Sequence, residues 1–119
     1  VIALNQFDEY QSQAKRTLNS EIADQYIYAN LGMGLAGEAG EVCDYLKKVV
    51  FHGHKLDPQK IAEELGDVLW YLANLADQVG ISLGEIAEQN IAKLRKRYPD
   101  GFSEERSQQR PEYTTEIKA

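Results

Sequence analysis

The chain has 119 residues, 43% hydrophobic and 27% charged, with a formal net charge of −6. That length fits one modest domain, and the composition is that of a globular rather than a disordered chain. No apolar run approaches the ~20 residues of a membrane span, no signal-peptide pattern opens the chain, and no broad basic face offers itself to duplex DNA or RNA.

In chain order, Phe7, Tyr10, Ala14 and Leu18 predict a first helix over about residues 4–18. Asn19 and Ser20 offer an N-cap for the second, which runs through Ile22, Ile27, Leu31, Leu35, Val42, Leu46 and Val49 to end before His52-Gly53. Gly32, Gly34, Gly37 and Gly40 lie inside it. Each mid-helix glycine costs up to ~1 kcal/mol relative to alanine, which predicts a break or kink near Gly32 and close packing at Gly37 and Gly40. Cys43, the only cysteine, reads as a small core residue; being single, it supplies no intrachain disulfide and suits a reducing cytoplasm.

Asp57-Pro58 caps a third helix, whose apolar stripe is Ile61, Leu65, Val68, Leu72, Leu75 and Val79, stopped by Gly80. Ser82-Leu-Gly-Glu85 is a capping-box pattern opening the fourth, which carries Leu83, Ile86, Ala87, Ile91 and Leu94 and ends at Pro99 and Gly101. Residues 103–119 are polar with little periodicity and predict an extended tail after a domain over 1–102. No alternating strand pattern occurs. The expected fold is all-α, a four-helix bundle, and so small a domain leaves enough surface unburied to predict completion by oligomerisation.

Two acid pairs carry the chemistry. Glu38-Ala-Gly-Glu41 and Glu64-Leu-Gly-Asp67 each place two carboxylates three residues apart, on one side of a helix. The echo extends further: a shift of 26 positions brings Leu35-Ala36 onto Ile61-Ala62, Gly40-Glu41-Val42 onto Gly66-Asp67-Val68, and Tyr45-Leu46 onto Tyr71-Leu72. If the two helices pack together, four acids gather, and each pair at ~5 Å repels by roughly 3 kcal/mol at an effective dielectric near 20. A cation resolves that repulsion. All four ligands are hard carboxylate oxygens, which suits Mg²⁺, with Mn²⁺ as a substitute. Neither helix has the Glu-x-x-His pair of di-iron bundles, and His52 and His54 form an H-x-H loop pair more typical of solvent-facing residues than of zinc ligands.

Setting the four motif acids aside leaves a net charge of −2, so an acidic protein that binds polyphosphate needs local cations. Lys93 and Arg97, at i and i+4 on the fourth helix, form such a pair; the competing explanation is a helix C-terminus enriched in cations for dipole reasons. Tyr71 and Asn74 continue the stripe of Asp67, and Trp70 reads as packing or interface.

GLAGEAGEV, EELGDVLWYL, KLRKRYPDGF and FDEYQSQA together resemble the MazG-type all-α nucleoside triphosphate pyrophosphohydrolases, over about residues 7–102. The resemblance implies Mg²⁺-dependent cleavage between the α and β phosphates of (d)NTPs, giving nucleoside monophosphate and pyrophosphate in nucleotide-pool house-cleaning. It implies Glu38, Glu41, Glu64 and Asp67 as metal ligands, Lys93 and Arg97 on phosphate, Tyr71 and Asn74 on sugar or base, and dimers or tetramers with sites completed across packed helices. Phe7, Tyr10, Gln11 and Tyr28 are the candidates for its base pocket, although aromatic residues at helical spacing are more often core. Glu41 is the candidate to orient or deprotonate the attacking water. The alternative is a non-catalytic nucleotide- or metal-binding helical module.

Overall fold

The computed structural model describes residues 2–110, with side chains from residue 6 onward. Five helices account for the regular structure: α1 (Ile2–Lys15), α2 (Asp24–Phe51), α3 (Pro58–Gln78), α4 (Leu83–Arg97) and a short α5 (Glu104–Gln109). No strand occurs among the described residues, so the all-α expectation holds. α3 is central: α2 runs along it, α1 packs on it from another side, and α4 packs chiefly on α1.

The caps of α3 and α4 act as the sequence predicts. Asp57 Oδ1 accepts the Gln59 N–H at 3.0 Å with Pro58 in the first turn, and Ser82 Oγ accepts the Glu85 N–H at 3.1 Å. α1 supplies the other caps of α4. Gln11 Oε1 accepts the Leu83 N–H and Asp8 Oδ1 the Gly84 N–H, each at 3.0 Å. Three amides that no intrahelical bond can reach are thereby satisfied. The buried Gln11 amide also donates to the carbonyls of Ala73 (3.1 Å) and Ile81 (3.2 Å), welding α1, α3 and α4. Ala14, Ala73 and Leu83 form the core at this junction, with Tyr10, Leu69, Trp70 and Leu72 packed around them.

The structure departs from the sequence reading in several places. α2 begins only at Asp24, because Asn19 spends its side chain on a local turn, accepting the Glu21 N–H at 2.9 Å. α2 is continuous from 24 to 51 with no break at Gly32. The close approach occurs at Gly34, whereas Gly37 and Gly40 face open space. Cys43 is exposed rather than in the core, since it lies on the side of α2 turned away from α3. α5 replaces an extended tail over 104–109: Arg106 donates from Nε to the Arg97 carbonyl (2.6 Å) and from Nη2 to that of Lys96 (3.3 Å), capping the C-terminus of α4. The part of the expected tail from 111 to 119 lies outside the described residues.

Large apolar side chains remain uncovered on α2 and around it. Met33 is 75% and Phe51 78% exposed, and Tyr26, Val50, Leu56 and Leu65 are exposed as well. No helix is long and apolar enough to cross a membrane among the described residues.

Candidate active site

α2 and α3 run antiparallel, and the acid turns meet face to face. Carboxylate oxygens of Glu38, Glu64 and Asp67 lie within 4.8 Å of one another, with Glu38 and Glu64 half-buried and Asp67 exposed. Glu41 and Glu64 share the wall of an adjoining cleft with Asp44, Tyr45, Lys48 and Lys60. The Glu38 carboxyl is pushed above the usual carboxylate range, first by partial burial and then by the charges of Asp67, Glu64 and Glu41. Glu38 therefore feels the other three motif acids, two of them across the helix pair.

The pairing forms a ladder. Gly34 meets Tyr71, Glu38 meets Asp67, Glu41 and Glu64 line one cleft, and the Lys60 ammonium sits 5.0 Å from the Tyr45 ring centroid. Each step of three or four residues along α2 matches an equal step backwards along α3, as antiparallel helices require. The 26-residue echo maps Tyr45 onto Tyr71 and Gly34 onto Lys60. The ladder is thus related to itself by an approximate two-fold between its two inner rungs.

The outer rungs differ in chemistry. At one end the Tyr71 ring occupies the space a side chain at 34 would need, and Trp70 meets it edge-on at a centroid distance of 4.9 Å. At the other end Tyr45, 5% exposed, is a latch: its hydroxyl accepts the Asp57 N–H at 2.7 Å and donates to the Lys55 carbonyl at 3.1 Å. That fixes the loop between α2 and α3. Lys48 pairs with Asp44 at 2.9 Å and Lys47 with the same carboxylate at 3.3 Å. The Lys48 ammonium is held above its ordinary pKa by its hydrogen bond to and the charge of Asp44, with a smaller contribution from Glu41.

Three hard oxygen ligands converging from two helices, with a fourth acid alongside, fit a small divalent cation. Tyr10 on α1 reaches the edge of the same site; its phenol is raised above its usual range by burial first and then by the negative charge of Asp67.

The remaining expected residues are placed elsewhere. Asn74 is 1% exposed, its Nδ2 donating to the carbonyls of Trp70 (3.1 Å) and Ala14 (3.5 Å), and its Oδ1 is buried with no partner. Lys93 lines a shallow surface pocket with Ile86, Gln89 and Asn90, and the Arg97 guanidinium lies 5.8 Å from the Tyr98 ring. Neither of these α4 cations lines the cleft of Glu41 and Glu64. Tyr28 donates to the Gln78 carbonyl at 3.3 Å, Trp70 Nε1 to Thr17 Oγ1 at 2.8 Å, and Phe7 is partly exposed on α1. Lys60 is the residue the sequence reading passed over. Its spacing, four residues before Glu64, was the available signal, since i and i+4 share a helix face.

Comparison with known proteins follows the same segment. The description "MazG nucleotide pyrophosphohydrolase domain" matches residues 27–102, which contain both acid turns and the loop between them. The "Gene 37 protein" of Mycobacterium phage L5 is 38% identical over 73 residues, covering 58% of this chain and 64% of that protein. The match therefore spans less than two thirds of that relative's length, and its name carries no activity. No solved structure matches. With the acid ladder and more than half its length inside the matched segment, the chain belongs to the MazG nucleotide pyrophosphohydrolase family.

Proposed function

We propose that the chain is a Mg²⁺-dependent pyrophosphohydrolase of (d)NTPs, cleaving between the α and β phosphates to give nucleoside monophosphate and pyrophosphate. The observation that carries this reading is the convergence of Glu38, Glu64 and Asp67 within 4.8 Å, from two helices, beside Glu41. Glu38, Glu41, Glu64 and Asp67 would hold the ion; Mn²⁺ would fit the same oxygen donors. A bound divalent ion supplies charge neutralisation for the polyphosphate and acidifies a coordinated water.

In this reading Glu41, exposed at the cleft wall, orients the water and takes its proton. The water oxygen bonds to the α-phosphorus, and the bond from that phosphorus to the α–β bridging oxygen breaks. Its electron pair leaves with pyrophosphate. Tyr71, one turn beyond Asp67, takes sugar or base. Asn74 is assigned with it, and its burial means that substrate reaches it only if α1 moves aside.

Lys93 and Arg97 are assigned to phosphate from α4. Self-association as a dimer or tetramer is part of the proposal, supported by the uncovered Met33, Val50 and Phe51 on α2, and is the route by which cations from another copy reach the acids. Sedimentation measures that state directly; a monomer at micromolar concentration refutes it. We place the activity in the cytoplasm as nucleotide-pool house-cleaning, which the unpaired Cys43 suits. Incubation with a panel of NTPs and dNTPs and Mg²⁺, with products identified by chromatography, tests the whole reading. Monophosphate with pyrophosphate supports it. Diphosphate with orthophosphate refutes the bond assignment, and binding without turnover leaves a nucleotide-binding module.

A further inference from the structure

Four of the five residues from 93 to 97 are cationic, and they occupy the end of a helix whose last carbonyls present the opposite charge. We propose that Arg106 on α5 is a positioning residue for phosphate binding: by holding the Lys96 and Arg97 carbonyls it fixes the last turn of α4, from which Arg97 projects, and offsets the negative helix end beside it. The inference rests on the assignment of Lys93 and Arg97 to phosphate and adds the group through which that pair is held in place.

The last four carbonyls of a helix have no partner within it. In α4 the chain beyond the helix supplies donors in turn. The Tyr98 N–H donates to the Leu94 carbonyl at 2.8 Å. Arg106 donates from Nε to the Arg97 carbonyl at 2.6 Å and from Nη2 to the Lys96 carbonyl at 3.3 Å. A planar fork can span two neighbouring acceptors in a way that the point charge of a lysine cannot. Helix ends fray where such bonds are missing, and Arg97 is the final residue of α4.

Arg106 is itself fixed from both sides. Ser103 Oγ accepts its backbone N–H at 3.0 Å, and its carbonyl accepts the Arg110 N–H at 3.0 Å. The link back to α4 is short and pinned: the Gly101 N–H donates to the Tyr98 carbonyl at 3.2 Å, and the Tyr98 and Phe102 rings lie 5.4 Å apart. The Arg97 guanidinium lies 5.8 Å from the same Tyr98 ring. Backbone and side chain of Arg97 are thus both referred to the segment 98–106. α5 has no buried residue, so hydrophobic burial does not account for its place. It also begins beyond the matched segment, so the clamp is an addition of this chain to the domain.

Charge gives the clamp its second effect. An open helix C-terminus carries roughly half a negative charge, and it would repel the phosphate that Lys93 and Arg97 attract. Arg106 occupies that end and adds a fifth positive charge beside the four of 93–97.

The test is calorimetric titration of the full chain with Mg²⁺ alone and with Mg²⁺–pyrophosphate. Arg106→Gln is expected to weaken pyrophosphate about three- to fivefold, the scale of one charge at a helix terminus, with Mg²⁺ affinity unchanged. Arg106→Lys keeps the charge but not the fork and recovers part of the loss. Arg97→Met is expected to cost about tenfold, and in that background the further loss from Arg106→Gln shrinks, because one residue acts through the other. Ser103→Ala uncaps α5 without touching the guanidinium and is expected to weaken pyrophosphate in the same sense; it carries the test if Arg106→Gln does not fold. Unchanged pyrophosphate affinity in Arg106→Gln, an equal loss for Mg²⁺ alone, or fully additive losses in the double variant overturns the inference and leaves the assignment of Arg97 standing. No loss in Arg97→Met, or no pyrophosphate binding by the wild type, refutes that assignment and the inference with it.

Discussion

Gly34 and Tyr71 fit each other as absence and presence: a Cβ at 34 would clash with the edge of the Tyr71 ring at Cε1. This contact fixes the spacing of α2 and α3 one turn from the Glu38–Asp67 rung, and so sets how far apart the acids stand. Gly34→Ala gains helix propensity of up to ~1 kcal/mol but overpacks the contact at a cost of typically 1–3 kcal/mol. The melting temperature should fall. Gly37→Ala, which meets open space, should raise it or leave it unchanged. A more stable Gly34→Ala protein would mean that Tyr71 can leave this position freely.

Metal and acids are coupled through repulsion. Raising Mg²⁺ should stabilise the fold, by about 2.7 kcal/mol at a concentration one hundred times the dissociation constant, and a chelator should reverse the gain. Asp67→Asn removes one charge from the cluster that raises the Glu38 carboxyl. It should stabilise the metal-free protein slightly and abolish most of the Mg²⁺-dependent gain. Thermal melts with and without metal measure both. Destabilisation of the metal-free form would show that Asp67 holds the fold in another way.

Gln11 supports the half of the molecule away from the acids. Gln11→Ala leaves the buried Leu83 N–H without its acceptor and removes the donor shared by the Ala73 and Ile81 carbonyls. A buried donor left unpaired costs roughly 1–3 kcal/mol. Hydrogen exchange at the start of α4 should accelerate, while the acid turns of α2 keep their protection. Uniform loss of protection across both regions would place the Gln11 junction in the global unfolding unit instead.

The Asp44 carboxyl is held below the usual carboxylate range by hydrogen bonds to Lys48 and then Lys47, with their charges adding. Its folded-state value is depressed, so its stabilising contribution is present above the unfolded value and fades as pH falls through the depressed one. The group is exposed and the contribution small. Carbon-13 NMR titration should find Asp44 below an ordinary aspartate, and Lys48→Ala should move it back up. No movement in that variant would assign the shift to Lys47 alone.

Much of the site was legible because helical spacing is a local rule. The Glu-x-x-Glu and Glu-x-x-Asp spacings put paired acids on a common face without reference to any partner, and the 26-residue echo predicted that both faces do similar work. The caps at Asp57 and Ser82 were legible for the same reason: each acts within one turn. Tyr45 was not. Its place one helical turn beyond Glu41 gives no hint that its hydroxyl is committed to Lys55 and Asp57, ten and twelve residues away. The glycines misled in the same way, because close packing at Gly34 depends on where Tyr71 arrives from another helix.

The sequence by itself determined α3 and α4, the all-α class and the four carboxylates, since these follow from periodicity, capping and side-chain chemistry. Only the tertiary structure decided that α2 is unbroken, that Lys60 joins the acids at one end, and that Tyr71 closes the other. The antiparallel register of α2 on α3 makes those decisions. It is fixed by long-range packing, in which the fit of one ring over one glycine selects among alignments that the local pattern treats alike.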